Sequence, residues 1–254
     1  MDCNEDGFNE RNLKAICSIG KSTKTGSQAY IGEKGIGFKS VFMAAWKVHV
    51  QSGSFSFSFI HRMNDSGMGM VNPLWEEPVA TLPRPLTRIT LFLHEYQDPT
   101  ELTRHRELIR RQFRELDAPL LLFLRNIRNI SIFFYDENEV EEWAVKFVQK
   151  TDSIANREIL ETSDPLASLG TLPKKRVYHV TRYKATNLAK SENRALTAAE
   201  EARKSYATSE IVLAFPLTAD SKPIIEPQKV FAFLPMRYVG FNVCAITPSF
   251  LCRT

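Results

Sequence analysis

A run of three glycines within six residues, Gly32-Glu33-Lys34-Gly35-Ile36-Gly37, most constrains how this chain can fold. Glycines at this spacing let the backbone take positive φ and approach a ligand closely. The apolar residues that follow repeat at helical spacing and predict a helix over residues 38–46. The first turn of such a helix presents free amides, and its dipole favours an anion. The segment is therefore a candidate phosphate-binding turn, with a ligand-free turn that merely opens a helix as the alternative.

Two other nucleotide-binding patterns fit less well. A dinucleotide-binding fold needs its glycines directly after a buried strand, whereas residues 21–30 are polar. The stretch Ala15-Ile16-Cys17-Ser18-Ile19-Gly20-Lys21-Ser22 matches a relaxed phosphate-loop pattern. A phosphate loop must leave a buried strand, but residues 9–17 have helical spacing, so we interpret this match as a decoy.

The composition is that of a soluble globular protein: 254 residues, 43% of them hydrophobic and 24% charged. The sequence contains no run of about 18 apolar residues, which is the length that a membrane-spanning helix needs. The acidic start, Met1 to Asp6, is unlike a secretory or mitochondrial leader. The cysteines, which are Cys3, Cys17, Cys244 and Cys252, lie too far apart to form CxxC pairs. We therefore expect reduced thiols and an intracellular location, cytoplasmic or nuclear.

The remaining patterns predict mixed secondary structure. We expect a helix over residues 9–17 capped by Asn9 and Asn12, and a second over about 100–116. Residues 48–51 and 55–59 predict a hairpin whose phenylalanines share one side. Further strands are expected at 88–93, 130–135, 143–148, 176–183, 210–217 and 229–234, with another helix at 193–206. In the helix at 100–116, we expect Leu102, Leu108, Ile109, Phe113 and Leu116 to face inward.

The motifs in order resemble those of the GHKL ATPases, and more closely the NO VEIN and sacsin-like branch of their heat-shock-chaperone type. The resemblance rests on Asn4 to Phe8, on Gly20 to Lys24, and on Tyr30 to Phe42. It implies an α+β fold, with a Bergerat-type α/β sandwich over residues 1–138. A partial second α+β domain over residues 139–254 would follow.

The resemblance also implies a set of nucleotide-binding residues. Asp2 would accept a hydrogen bond from the adenine amino group, although strict motif spacing places Cys3 at that position. Gly7 would let the backbone pass under the base, and Thr87 would help to fix it. The phosphates would be held by Gly32, Gly35, Gly37 and the amide of Phe38, and Lys34 also belongs to the nucleotide-binding set. Gly20, Lys21 and Ser22 lie where the nucleotide lid of this family begins, and Lys21 would neutralise phosphate charge.

Hydrolysis is a separate question. Members of this family bind magnesium through an Asn, and activate water through a Glu, on a helix that precedes the first motif. The sequence begins at the first motif, so it resembles a member truncated at its N-terminus. We expect ATP or ADP as ligand, and magnesium only if such a helix exists upstream, because phosphoanhydride hydrolysis needs a metal and a positioned water.

Three functions are compatible with the sequence. The first is an ATP-binding module of a chaperone-like ATPase with protein clients or partners. The second is a non-catalytic scaffold or interaction module that keeps the fold. The third is a basic nucleic-acid-binding module built on the arginines between Arg104 and Arg114, although the net charge of +4 is mild. The five histidines are scattered and show no metal-ligand spacing.

The glycine turn gives a direct prediction. A valine at position 35 would push a branched side chain into the space that the phosphates need, so Gly35→Val should abolish nucleotide binding with little loss of helix content. Calorimetric titration with ATP and far-ultraviolet circular dichroism would measure the two properties. Unchanged ATP binding would contradict the phosphate-turn interpretation.

Overall fold

The computed structural model describes residues 1–17, 37–62, 65, 67–78, 81–83, 86–168, 170–187, 209–232, 234–238 and 244–246. The chain divides into two compact units, Met1–His105 and Arg106–Thr254. Both units are built on sheets whose strands pair almost entirely antiparallel, and helices are few. The chain is therefore α+β, as the sequence predicts.

The first unit is built on a five-stranded sheet with the order β1-β5-β2-β3-β4. Its strands are β1 (Asp2–Cys3), β2 (Ala45–Ser52), β3 (Phe55–Ile60), β4 (Leu74–Trp75) and β5 (Thr87–Leu93). Helix α1 (Glu10–Ile16) and two 3₁₀ helices, Phe38–Met43 and Gly67–Met70, accompany the sheet. Helix α2 (Pro99–Arg114) begins in this unit and ends in the next.

Two local predictions for this unit are confirmed. Helix α1 starts with a reciprocal cap, in which the side chains of Asn9 and Asn12 each accept the other residue's backbone N–H. The hairpin pairs Ser52 with Phe55, and Gly53 takes the positive φ of 59° that its tight turn needs.

The sheet of the first unit has one apolar and one polar face because its strands alternate. Val48, Val50, Phe57 and Phe59 are fully buried on one face, where Phe42 and side chains of α1 pack against them. The opposite face carries a buried polar set, His49, Gln51, Ser56 and Ser58. Stacking helices on the phenylalanine face therefore supplies the core of this unit.

Two details differ from the sequence-based expectation. The predicted helix at 38–46 is a 3₁₀ helix that ends at Met43, because Ala45 already pairs with Leu93 as the start of β2. Helix α2 forms as predicted, but Leu108 and Phe113 remain 41% and 44% exposed rather than facing a core. Helical spacing located α2 correctly, but it could not show how much apolar surface would be available to cover it.

The second unit contains an eight-stranded sheet with the order β12-β11-β13-β10-β9-β8-β7-β6. Its strands are β6 (Asn129–Tyr135), β7 (Glu141–Thr151), β8 (Arg157–Ser163), β9 (Lys174–Ala185), β10 (Ser209–Leu217), β11 (Lys229–Ala232), β12 (Leu234–Tyr238) and β13 (Cys244–Ile246). A 3₁₀ helix, Ala118–Phe123, is entirely buried in its core.

Most strands predicted in this unit are confirmed, with two differences. Strands β8 and β13 were not predicted, and the predicted strand at 229–234 is divided between β11 and β12. The boundary expected between residues 138 and 139 falls in the turn between the paired strands β6 and β7. The helix predicted at 193–206 lies outside the described residues.

His49 predicts how stability depends on pH. It is buried on the polar face, where its Nε2 lies 3.0 Å from the Ser56 hydroxyl, and burial lowers its pKa below the ordinary value. The unfolded chain therefore binds a proton at this histidine more readily than the folded chain does. The contribution of neutral His49 to the free energy of unfolding is complete above about pH 6.5 and is lost as the pH falls. Urea unfolding between pH 7.5 and pH 5.5 should show decreasing free energy, and His49→Gln should flatten the slope. An unchanged slope in the variant would contradict this assignment.

Candidate functional site

A chain of hydrogen bonds joins the N-terminal segment to the end of the first unit's sheet. The Thr87 hydroxyl donates to Glu5 Oε1 at 2.6 Å, and Ser52 Oγ lies 2.5 Å from Thr87 Oγ1. The backbone N–H of Phe8 donates to Ser52 Oγ at 2.8 Å. Because Thr87 gives its proton to the carboxylate, Ser52 must donate to Thr87. The bonds therefore run in one direction, from the Phe8 amide through two hydroxyls to the Glu5 carboxylate.

Strand register places the two hydroxyls. Ser52 and Thr87 are direct partners in the β2–β5 pairing, and Cys3 is the partner of Thr87 on β1. Ser52 shares the apolar face with Val48 and Val50, since alternate residues of a strand point the same way. Ser52 and Thr87 are 0% and 3% exposed, whereas Glu5 is exposed. A buried pair of hydroxyls thus supports a carboxylate that solvent and ligands can reach.

Gly7 makes this arrangement possible. Its φ is +89°, a conformation that residues with a side chain rarely adopt, and a Cβ there would lie 3.5 Å from Ser52 Oγ. The turn at Gly7 brings the next amide, that of Phe8, onto Ser52. The Phe8 ring then packs against Phe57, with 6.3 Å between ring centroids.

Asp2 and Cys3 have different surroundings. The Asp2 carboxylate accepts two 2.7 Å hydrogen bonds from the Arg88 guanidinium, which hold its pKa below the usual range. Asp2 and Cys3 are consecutive strand residues, so their side chains leave the sheet on opposite sides. Burial, followed by the nearby Glu5 charge, raises the pKa of the Cys3 thiol. The carboxylate that contacts Thr87 is therefore that of Glu5 rather than that of Asp2.

The described part of the glycine motif begins at Gly37. Gly37 is exposed with φ of −58°, and Phe38 packs edge-on against Phe59 at 5.6 Å between centroids. The Lys39 ammonium donates to the carbonyl of Ile16 at 2.6 Å and to that of Met70, and burial lowers its pKa. Lys39 thus links the last residue of α1 to the start of the 3₁₀ helix. The remaining predicted phosphate-binding residues, Gly20, Lys21, Ser22, Gly32, Lys34 and Gly35, lie outside the described residues.

Three of the five arginines of α2, namely Arg110, Arg111 and Arg114, make contacts within the second unit. Arg110 pairs with Glu142 at 3.0 Å, and Arg111 with Glu115 at 3.8 Å. Arg110 and Arg114 both lie over the Phe134 ring. Such contacts reduce the positive charge that this helix offers to a phosphate backbone.

Two kinds of feature are absent from the described residues. In the part of the chain that the structure covers, no three His, Cys, Asp or Glu side chains are grouped so as to hold a metal ion. Among its helices, none combines the length and apolar character needed to cross a membrane.

The sequence did not identify two residues of the hydrogen-bond chain. Glu5 was passed over because strict spacing from Gly7 puts it where related motifs have a glycine. Ser52 was assigned only to a hairpin turn. Strand alternation could have identified Ser52, because it places this hydroxyl on the same face as Val48 and Val50, which is otherwise apolar.

The chain is similar in sequence to a much longer known protein. The chain is 30% identical over 260 residues to the protein NO VEIN of Arabidopsis thaliana, an alignment that covers 94% of this chain. The chain spans only 8% of the length of that relative. No protein-family model matches the chain. No solved structure matches it either.

The two described glycines of the motifs make a matched pair for mutation. Gly7→Ala forces a side chain into a left-handed conformation and should lower the free energy of unfolding by about 1–2 kcal/mol. Gly37→Ala should change it by no more than about 0.5 kcal/mol, because its backbone is right-handed helical and no atom of the described residues lies within 4 Å of the added Cβ. Urea unfolding measures both. Equal destabilisation by the two substitutions would contradict the geometry described for Gly7.

Proposed function

We propose that the first unit is an ATP-binding module of the GHKL type with a Bergerat-type arrangement of sheet and helices. Four observations support this. The motif order resembles that family, and the apolar face of the sheet is covered by α1 and the 3₁₀ helix that follows the glycine motif. The similarity to NO VEIN extends over 94% of the chain. The hydrogen-bonded chain ends at the Glu5 carboxylate, which is an acceptor suited to the amino group of a purine base.

The Glu5 carboxylate is the group that we assign to the adenine amino group. An exposed carboxylate offers several acceptor positions, and Thr87 occupies only one of them. The amino group of adenine is a donor, so Glu5 and adenine are complementary. Because Ser52 and Thr87 are buried and their bonds are directional, the carboxylate is held in place before the base arrives.

This assignment changes the role given to Asp2 and keeps that given to Thr87. Asp2 is neutralised by Arg88, so an amino group would have to compete with a bidentate ion pair. Thr87 fixes the base indirectly, by orienting Glu5. Gly7 lets the main chain turn beneath the base, as the family resemblance implies.

The phosphates would bind where the glycine motif opens the 3₁₀ helix. Gly32, Gly35, Gly37 and the amide of Phe38 would contribute main-chain donors, and Lys34, Gly20, Lys21 and Ser22 would surround the charge. Lys39 stabilises this region through the hydrogen bonds that its ammonium group donates to the carbonyls of Ile16 and Met70. Magnesium binding and hydrolysis depend on a Glu- and Asn-bearing helix of the kind that precedes the first motif in this family. A role in acting on protein clients belongs to the same proposal.

Glu5→Ala and Asp2→Ala form a matched pair that tests the base assignment. A hydrogen bond to a charged group contributes about 1.5–3 kcal/mol, so Glu5→Ala should weaken ATP binding by about tenfold to a hundredfold. Asp2→Ala should change the dissociation constant by less than about threefold, because in this assignment its carboxylate binds Arg88 at the surface rather than the base. Calorimetric titrations with ATP, ADP and GTP, with and without magnesium, would measure this.

The same titrations decide between the proposed functions. A larger loss in Asp2→Ala than in Glu5→Ala would assign the base to Asp2 instead. Absence of nucleotide binding by the wild-type protein at millimolar ATP would favour the scaffold function. Salt-sensitive binding to DNA or RNA, in place of ATP, would favour the nucleic-acid function.

A further inference from the structure

Strand β6 forms an edge of the second unit's sheet, and no described strand pairs with its outer side. It has seven residues, Asn-Ile-Ser-Ile-Phe-Phe-Tyr, without a charge, a proline or a glycine. Phe133 and Tyr135 on this strand are 39% and 48% exposed, and their rings stack at 6.5 Å. Open edges of this kind usually carry charges, proline or a short strand that prevents pairing with another chain. The β6 edge has none of these features.

The other three edges of the two sheets are protected. Strand β12, at the opposite edge of the same sheet, contains Pro235 and Arg237. The edges of the first unit's sheet, β1 and β4, are two residues long. Unlike these three edges, β6 lacks the features that prevent an edge strand from pairing with another chain.

Contacts within the second unit fix the position of β6 before any partner strand binds. Ile130 and Ile132 pack against the core of the second unit, and Phe134 lies 4.8 Å from Trp143 between ring centroids. These contacts fix one face of the strand, so pairing would order few additional groups. Arg110 reaches the carbonyl of Tyr135 only at 3.4 Å, at the last residue of the strand.

We propose that β6 pairs antiparallel with β6 of a second copy of this chain, about a twofold axis at Ile132. In that register Ile130 lies opposite Phe134 of the second copy, and Ser131 lies opposite its Phe133. Each cross-strand pair is then apolar against apolar or small against large, and no two like charges face each other. A twofold interface requires such a self-complementary surface.

The charges that flank β6 favour the antiparallel direction. Arg125 and Arg128 precede the strand, and Asp136, Glu137 and Glu139 follow it. Antiparallel pairing about Ile132 sets Arg128 opposite Asp136 of the second copy, and it brings the Arg125 end of one copy towards the turn that carries Glu137 and Glu139 in the other. Parallel pairing would align like charges instead. Arg125 already pairs with Glu210, and Arg128 already donates to Gln149 and to the carbonyl of Leu124. Each guanidinium has five N–H donors and can serve a further acceptor.

Analytical ultracentrifugation of the full chain tests the proposal. The wild-type protein should shift from monomer to dimer as its concentration rises to about 0.5 mM, since one strand pair buries a small interface. Phe133→Lys should raise the dissociation constant at least about tenfold by placing like charges at the edge. Tyr183→Lys is the matched control, because it adds the same charge at an exposed aromatic residue on the interior strand β9. It should change the constant by less than about threefold.

A wild-type protein that stays monomeric throughout this range would overturn the proposal. Equal weakening by Phe133→Lys and Tyr183→Lys would also overturn it, since the effect would then come from charge alone. Urea unfolding of both variants shows whether each remains folded.

Spin labels at position 129 test the direction without disturbing the apolar residues. Asn129 is exposed at the start of β6, and Asn129→Cys would be labelled after the four native cysteines are replaced by serine. Antiparallel pairing about Ile132 places the two Asn129 Cα atoms about 20 Å apart, because six residues separate position 129 from its partner position. Parallel in-register pairing would place them about 5 Å apart, and that distance would overturn the proposal.

Discussion

The pairing of β2 with β5 is the constraint on which the candidate site depends. It sets Ser52 opposite Thr87 at the end of an otherwise apolar sheet face, so two hydroxyls are buried where water cannot serve them. Buried hydroxyls must find partners within the protein. Their bonds to the Phe8 amide and to Glu5 therefore fix the N-terminal segment against the sheet. A shift of one residue in this register would place Ser52 and Thr87 on opposite faces of the sheet and break the hydrogen bond between them.

Much of the secondary structure of the chain could be predicted because the relevant signals are local. The reciprocal cap of Asn9 and Asn12, the hairpin at Gly53 and the helical spacing of α2 all lie within short segments. The end of the 3₁₀ helix at Met43 could not be predicted in this way. It is set by pairing of Ala45 with Leu93, which lies far along the chain.

The candidate site was only partly predictable for the same reason. Gly7 and Thr87 were identified from the motif resemblance, and the structure places both beside Ser52. The motif resemblance pointed to Asp2 and strict spacing to Cys3, but neither shows on which side of a strand a side chain lies. Alternation puts Asp2 beside Arg88, whereas the short turn before Gly7 returns Glu5 to Thr87.

The two units thus present two different kinds of surface. The first combines a carboxylate, buried hydroxyls and the start of a glycine-opened helix, which suits a small polar ligand. The second presents an uncharged strand edge with flanking charges of opposite sign, which suits another copy of itself. Nucleotide binding and self-association would use separate residues, so each can be removed by mutation without altering the residues of the other.

Glu5 is the central assignment, and its contact with the adenine amino group can be tested by removing either partner. The dissociation constants of ATP and of purine riboside triphosphate, which lacks that amino group, would be compared in wild-type protein and in Glu5→Ala. The account predicts that wild-type protein prefers ATP and that Glu5→Ala loses the preference, because the two changes remove the same hydrogen bond. A preference for ATP of the same size in Glu5→Ala would contradict the account.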